Sequence, residues 1–207
     1  MKQNPNLKPH SNKMNFDYTL QIENIDYGFV KGDGKIVFIK VGLGGNCSGY
    51  ENKYLTMAQE LHQKHGCSVI VASNPNNGKN HLKADKQALE QYVLENGIYA
   101  PKLFFFGHSN GSIKGLALTE FGVAFEKMIL VNMPLMINFH KTKAYVAAIP
   151  KTKIVAVYGE LDPSFRYVPF LSGTFQNLNV LKIPQADHNF AGMQTEFIDL
   201  SELLFET

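Results

Sequence analysis

A serine flanked by two glycines is the feature whose residue types and spacing most directly indicate a chemistry. Positions 107–111 read GHSNG, after an apolar run at 103–106 and before a helical stretch at about 110–120. A serine on a tight strand-to-helix turn has a strained backbone, and glycines two positions away avoid collisions with the strand and the helix. The hydroxyl then projects beside a helix N-terminus, whose amides favour developing negative charge. Ser109 is therefore predicted to be a nucleophile.

Apolar runs along the chain predict the sheet that must position this serine. Continuous hydrophobicity is typical of parallel strands covered by helices on both faces. An earlier segment, 16–23, instead alternates apolar and polar residues and is predicted to be an outer antiparallel strand. The turn signal KGDG at 31–34 is predicted to close a hairpin or meander. The continuous apolar runs are 36–41, 68–72, 103–106, 128–131 and 154–158.

Helical periodicity fills the gaps between these runs. Strand and helix alternate about five times, which predicts a single α/β domain over 16–207. Its central sheet should be doubly wound and mostly parallel, with an antiparallel N-terminal strand or hairpin, and functional residues should gather at the carboxyl ends of the strands. Residues 1–15 are predicted to be a disordered or frayed tail. The periodic apolar positions are Tyr54, Ala58 and Leu61, then Leu82, Leu89, Tyr92 and Val93, then Met193, Phe197, Leu200 and Leu204.

With its serine turn between a buried strand and a helix, the sequence resembles the α/β-hydrolase family over nearly everything after its first fifteen residues. The resemblance implies an acid and then a histidine further along the chain. Positions 159–162 read GELD after a buried strand, and Asp162 matches the family's acid, which accepts the imidazole Nδ1–H. Glu160 is the near alternative. Some relatives carry the acid after the preceding strand, where this chain has Asn132.

The same resemblance implies a histidine between the last strand and the final helix. A short strand at 180–183 is followed by ADHNF at 186–190, which identifies His188 as the predicted base. It would take the proton of Ser109 and return it to the leaving group. His108 lies inside the turn that carries Ser109 and cannot easily fold back onto it.

A glycine-rich loop, VGLGGNCSG at 41–49, follows the first buried strand. In a hydrolase of this kind, the loop and the residue after the nucleophile each donate one backbone N–H to the oxyanion. The donors implied here are the amides of Leu43 and Asn110. Many family members carry His-Gly where this chain has Val41-Gly42, a departure that blurs the subfamily.

The residue types of this loop exclude phosphate binding through either of two known motifs. Cys47 stands where a dinucleotide fingerprint needs a third glycine, and Tyr50 and Glu51 replace the lysine and hydroxyl residue of a P-loop. Cys47 is predicted to be a small loop residue, because the histidine that would activate it is better assigned to Ser109. No cofactor or metal is predicted, since no clustered ligand set stands out.

Short connections predict an open site. The segment 134–151, where many relatives carry a lid, can hold one short helix at most, which favours a small or soluble substrate. Residues 165–171 are expected in the core, with a pocket wall as the alternative. Arg166, the only arginine, is expected at the surface, with a carboxylate clamp as the alternative. Residues 74–80 are predicted to form a mobile loop on the rim.

Composition narrows the class of protein and its partners. Of 207 residues, 44% are hydrophobic and 18% charged, as in packed globular proteins. The charge of +2, from 20 Lys+Arg and 18 Asp+Glu, argues against a nucleic-acid groove. No apolar run is long enough for a secretion signal or a membrane span, so we expect a cytoplasmic protein with no membrane partner.

These observations predict a serine hydrolase that cleaves a small or soluble carboxylic ester through an acyl-enzyme. A thioesterase or acyltransferase with the same three residues remains an alternative. So does a non-catalytic ligand receptor that keeps the hydrolase fold. In all of these cases the expected partner is a small molecule. For the enzymes it is an acyl compound.

Overall fold

The computed structural model describes residues 15–206, and its centre is an eight-stranded sheet in the order β1-β2-β4-β3-β5-β6-β7-β8. The predicted tail, apart from Asn15, lies outside the described residues. The strands are β1 Tyr18–Ile22, β2 Ile25–Val30, β3 Asp33–Lys40, β4 Cys67–Ala72, β5 Lys102–His108, β6 Lys127–Val131, β7 Lys153–Gly159 and β8 Leu178–Ile183. The helices are α1 Lys53–His65, α2 Leu82–Glu95, α3 Asn110–Leu118, α4 Leu135–Ala148 and α5 Gln194–Asp199, with 3₁₀ helices at Tyr50–Asn52, Thr119–Phe121, Phe165–Phe170 and Leu200–Leu204.

The sheet is parallel from β4 through β3 to β8, and helices cover both of its faces. One apolar core holds residues of α2, α3 and α4, and the other holds residues of α1 and α5. Every residue of β4 is buried, as its continuous hydrophobicity predicts. The predicted α/β fold class is thereby confirmed. Among residues 15–206, no helix is both long and apolar enough to cross a membrane.

The N-terminal hairpin turns at a different place from the one predicted. β1 and β2 pair antiparallel around Glu23 and Asn24, which have φ values of 50° and 65°. The KGDG segment instead leads β2 into β3, and β4 lies between those two strands. The prediction that KGDG closes a hairpin is therefore wrong. Gly32 is required for close packing, because a Cβ there would lie 2.3 Å from the carbonyl carbon of Cys67.

The segment expected to hold a minimal lid forms α4, a helix of 14 residues that is longer than the short helix predicted. Parallel neighbours such as β6 and β7 need a crossover connection, and α4 supplies it. Leu135 and Val146 are fully buried in the core that α4 shares with α3. The segment covers the sheet.

A buried ion pair joins the end of β3 to α2. The ammonium of Lys40 lies 2.7 Å from Asp85 Oδ1 and donates to the carbonyl of Ser73 at 2.9 Å. The hydroxyl of Tyr27 donates to the same carboxylate oxygen at 3.0 Å. Burial, followed by the charge of Asp85, raises the pKa of Tyr27, so this hydroxyl keeps its proton. Asp85 Oδ2 is buried with no hydrogen-bond partner within residues 15–206.

We expect Asp85→Asn to destabilise the protein by about 3–5 kcal/mol, because it leaves the Lys40 ammonium buried without an opposite charge. The double variant Lys40→Met/Asp85→Asn should recover most of this loss, since both charges are then absent. Chemical denaturation of the wild type and of both variants measures the effect. Equal losses in the single and double variants would contradict the explanation.

Candidate active site

Ser109 lies between β5 and α3 on a turn that only small flanking residues allow. Its φ of 54° and ψ of −126° are unfavourable for a residue with a side chain. A Cβ at Gly107 would lie 2.7 Å from Ser112 Cα, and one at Gly111 would lie 2.1 Å from the carbonyl oxygen of Lys40. Both glycines are therefore needed for α3 to pack against the ends of β3 and β5.

The structure brings the three side chains predicted for catalysis into one hydrogen-bonded chain. Ser109 Oγ lies 2.8 Å from His188 Nε2, and His188 Nδ1 lies 2.5 Å from Asp162 Oδ2. The other oxygen of Asp162 accepts the amide of Ser164 at 2.6 Å. An ionised carboxylate only accepts hydrogen bonds, so Nδ1 carries a proton and Nε2 of the neutral ring is free to accept one from Ser109. The Asp162 side chain is fully buried, whereas that of His188 is 38% exposed.

Glu160, the alternative acid, is engaged elsewhere. Its carboxylate pairs with Lys182 Nζ at 2.5 Å and also accepts the amide of Gln185. The hydrogen bond from Lys182 lowers the pKa of this exposed carboxyl. Of the two candidate acids, Asp162 is the one that contacts His188.

Asn132 holds the two loops that carry the acid and the histidine, a role that the sequence analysis missed. Its amide nitrogen donates to the carbonyl oxygens of Asp187 and His188, each at 3.0 Å. Its amide oxygen accepts the N–H of Gly159 at 2.8 Å, three residues before Asp162. Asn132 is fully buried and has a φ of 47°. The available signal was its position at the end of β6, where some relatives carry the acid.

His108 supports the same loop from the other side. Its Nε2 lies 2.9 Å from the carbonyl oxygen of His188, and its Nδ1 lies 2.9 Å from the hydroxyl of Tyr54. A carbonyl only accepts, so Nε2 carries the proton and Nδ1 accepts from Tyr54. Burial, followed by the nearby charge of Lys53, lowers the pKa of His108 to about 3. His108 is thus a neutral positioning residue that faces away from Ser109.

The loop after β3 lies close to Ser109. A Cβ at Gly42 would lie 3.5 Å from the Cβ of Ser109. Among residues 15–206, the amides of Leu43 and Asn110 donate to no carbonyl or side chain. The amide of Asn110 is free of intrahelical bonding because this residue begins α3. The N–H groups of both predicted oxyanion donors are therefore not used within the described residues.

Asn74, the first residue of the segment 74–80 that is expected to be a mobile rim loop, fixes the glycine-rich loop. Its side-chain nitrogen donates to the carbonyl of Val41 at 3.1 Å and to Asn110 Oδ1 at 3.2 Å. Its backbone exchanges hydrogen bonds with Gly44 and Gly45. Asn74 is 2% exposed, and only positions 76–80 are fully exposed. The buried asparagine joins the glycine-rich loop to the start of α3.

Other positions considered from the sequence lie outside the serine site. Cys47 donates to the carbonyls of Asp26 and Val71, and burial raises its pKa to about 11, which keeps it a thiol. Arg166 is exposed and contacts Met136. Within the 165–171 segment, Val168 and Leu171 are buried in the core, as expected. Phe170 is exposed. Residues 15–206 hold no cluster of three or more His, Cys, Asp or Glu suited to a metal ion.

Comparison with known proteins identifies the fold. No protein-family model and no curated protein matches the sequence. Among solved structures, Est1E from Butyrivibrio proteoclasticus matches with a TM-score of 0.70 at 12% identity, over 91% of this chain and 97% of that one. A lidless α/β serine hydrolase from Xanthomonas campestris matches with a TM-score of 0.61 at 17% identity, over 88% and 91%.

The mouse α/β hydrolase domain-containing protein 10 matches with a TM-score of 0.62 at 13% identity, over 91% of this chain and 97% of that one. Such low identities establish the architecture alone. The chain has the α/β-hydrolase fold, as its resemblance to that family predicts.

The low pKa of His108 predicts a loss of stability in acid. Below about pH 6.5 the unfolded chain protonates this histidine, whereas the folded protein does so only near pH 3. The contribution of neutral His108 to the free energy of unfolding is therefore complete above pH 6.5. Below that pH it falls by about 1.4 kcal/mol per pH unit. Denaturation of wild type and His108→Gln between pH 4 and 8 should show their difference shrinking in acid. In the wild type, an NMR titration of His108 with a midpoint near 6.5 would disprove the assignment.

Proposed function

We propose that the protein is a serine hydrolase that cleaves a small or soluble carboxylic ester. The observation that carries the proposal is the hydrogen-bonded chain from Ser109 Oγ through His188 to the buried carboxylate of Asp162. Such a chain raises the nucleophilicity of a serine, because the proton it loses has an acceptor already aligned with it.

The first half of the proposed reaction forms an acyl-enzyme. Ser109 Oγ attacks the ester carbonyl while its proton moves to His188 Nε2, and Asp162 stabilises the resulting imidazolium. The negative charge that develops on the carbonyl oxygen is accepted by the amides of Leu43 and Asn110. The carbon–oxygen bond to the alcohol then breaks, and His188 returns the proton to the leaving alkoxide.

The second half releases the acid. Water takes the place of the alcohol, gives a proton to His188 and attacks the acyl carbon, with the same two amides stabilising the oxyanion. The bond to Ser109 breaks, and His188 reprotonates the serine. No redox partner or added cofactor enters this sequence, and every proton passes through His188.

Two observations support a small ester as the substrate. The segment after β6 packs on the sheet as α4, and a structural neighbour from Xanthomonas campestris is described as having no lid. A structure of Est1E contains ferulic acid, a carboxylic acid of the kind that ester hydrolysis releases. We extend both features to this chain and propose a carboxylic ester as the substrate, with a thioester as the alternative.

Substitution of Ser109 by alanine should abolish activity. We expect the wild type to be labelled by a fluorophosphonate, which reacts with activated serines, and Ser109→Ala to remain unlabelled with ester turnover reduced at least about 10⁴-fold. Asp162→Asn should lose a comparable factor in kcat, because the imidazole then adopts the wrong tautomer.

Ser172→Ala is the matched control, because Ser172 is exposed and outside the site. It should label and turn over like the wild type. Failure of the folded wild type to label would overturn the proposal and favour a non-catalytic ligand receptor.

The absence of a lid from the segment after β6 predicts a preference for short acyl chains. With 4-nitrophenyl esters of two to twelve carbons, kcat/KM should peak at six carbons or fewer, since an open site buries little of a long chain. Matched thioesters measure the competing activity. A maximum at ten or twelve carbons would contradict the proposed substrate class, and faster thioester turnover would favour a thioesterase.

A further inference from the structure

Lys53, the first residue of α1, is a buried cation that forms no ion pair within residues 15–206. It is 9% exposed, and its ammonium pairs with no carboxylate of residues 15–206. The one hydrogen bond of this ammonium runs to the carbonyl of Asn189 at 3.5 Å. An ammonium has three donors, so two are unused. Desolvating a charge without a partner is costly.

The surroundings of Lys53 solvate its charge only in part. The ammonium lies 4.3 Å from the ring centre of Phe197 and 5.2 Å from that of Tyr54. Aromatic faces attract a cation but do not accept its strong hydrogen bonds. The nearby carboxylate of Asp187 accepts the amides of Asn189 and Ala191 through Oδ1, at 2.9 and 3.0 Å, and its charge offsets part of the effect of burial on Lys53 without forming an ion pair. Burial lowers the pKa of Lys53, so its charged form gains from any anion that reaches it.

A cavity of about 330 Å³ lies between this cation and the glycine-rich loop. The cavity wall includes Leu43, a proposed oxyanion donor, and Gly42, where a Cβ would lie 3.5 Å from Ser109 Cβ. An ester carbonyl that is bound by the amide of Leu43 would therefore lie at the wall of the cavity that Lys53 also lines. The lining residues include 42–46, Tyr50, Lys53, Tyr54, His108 and Asn189.

No acidic residue lines this cavity. Glu51 and Glu196 line a separate cavity on α5 and the loop before it, and Lys53 borders both. Charge complementarity in the cavity next to the glycine-rich loop therefore favours a negative group. A neutral or cationic group there would leave the ammonium unpaired or repel it.

We propose that this cavity binds a carboxylate of the substrate through the ammonium of Lys53. The inference rests on the proposed ester hydrolysis and narrows its substrate to a hemiester, a short ester that carries a second, ionised carboxyl group. That carboxylate belongs either to the acyl part or to the alcohol part, and the two arms of the experiment separate these sources.

The experiment compares esters that differ in one charge. In the acyl arm, 4-nitrophenyl hemiglutarate is paired with 4-nitrophenyl pentanoate. In the alcohol arm, the butyrate ester of 4-hydroxyphenylacetic acid is paired with that of its methyl ester. We expect the wild type to prefer the charged member of one pair at least about tenfold in kcat/KM, chiefly through KM. Equal rates within both pairs would overturn the proposal.

Variants at Lys53 assign the preference to its charge. Lys53→Met, which keeps the length of the apolar stem, should reduce the charged-to-neutral ratio at least about tenfold, and Lys53→Arg should retain most of it. Lys79→Met, which removes an exposed cation on the rim, should leave the ratio and the activity unchanged. An unchanged ratio in folded Lys53→Met, as judged by circular dichroism, would contradict the proposal. If that variant does not fold, Lys53→Gln takes its place.

A binding measurement separates this proposal from the proposed hydrolysis. Calorimetric titration of the wild type with glutarate should show binding that Lys53→Met weakens at least tenfold, whether or not any ester is cleaved. Turnover of the neutral esters without glutarate binding would contradict the proposed anion site and support the proposed hydrolysis. Glutarate binding without fluorophosphonate labelling would support the proposed anion site and contradict the proposed hydrolysis.

Discussion

One buried amide, that of Asn132, joins the loops on which the serine site depends. It donates to the carbonyls of Asp187 and His188 and accepts the N–H of Gly159, so it connects the chain that leads to the acid with the chain that carries the base. Only a side chain with both donors and an acceptor can do this. A carboxylate at position 132 would repel the two carbonyl oxygens. The presence of an amide at the end of β6 is thus physically linked to the position of Asp162, the acid we propose, after β7.

The strained serine turn depends in the same way on a rigid frame beneath it. A positive φ at a residue such as Ser109 costs about 1–3 kcal/mol and persists only where the surroundings determine it. Gly111 packs against the carbonyl of Lys40, whose ammonium is fixed by Asp85 and by the carbonyl of Ser73. The buried ion pair therefore holds the end of β3, which supports α3 and starts the glycine-rich loop.

The sequence predicts the parts of this site that depend on local pattern. The apolar strands and the flanking glycines define the serine turn within five residues, and the order of acid and histidine that the resemblance to α/β-hydrolases implies then points to Asp162 and His188. Contacts that depend on the order of the strands in the sheet cannot be predicted from local pattern. The KGDG segment has residue types that are typical of a hairpin turn. However, β4, which comes later in the chain, lies between β2 and β3 and pairs with both. Side chains that bind distant backbone carbonyls, such as Asn132 and His108, also leave no pattern, because any residue can supply a carbonyl.

Lys53 and Tyr54 show how a single helical turn can affect both binding and catalysis. Tyr54 donates to the buried imidazole of His108, which in turn binds the carbonyl of the catalytic histidine proposed at position 188. The adjacent Lys53 contributes a positive potential that lowers the pKa of His108. An anion bound at Lys53 would reduce this potential in the region where His188 must become positively charged. A net charge of +2 over 207 residues does not indicate such a site. The specificity we infer comes from one largely buried cation, whose effect on a nearby anion is larger than that of a fully exposed one.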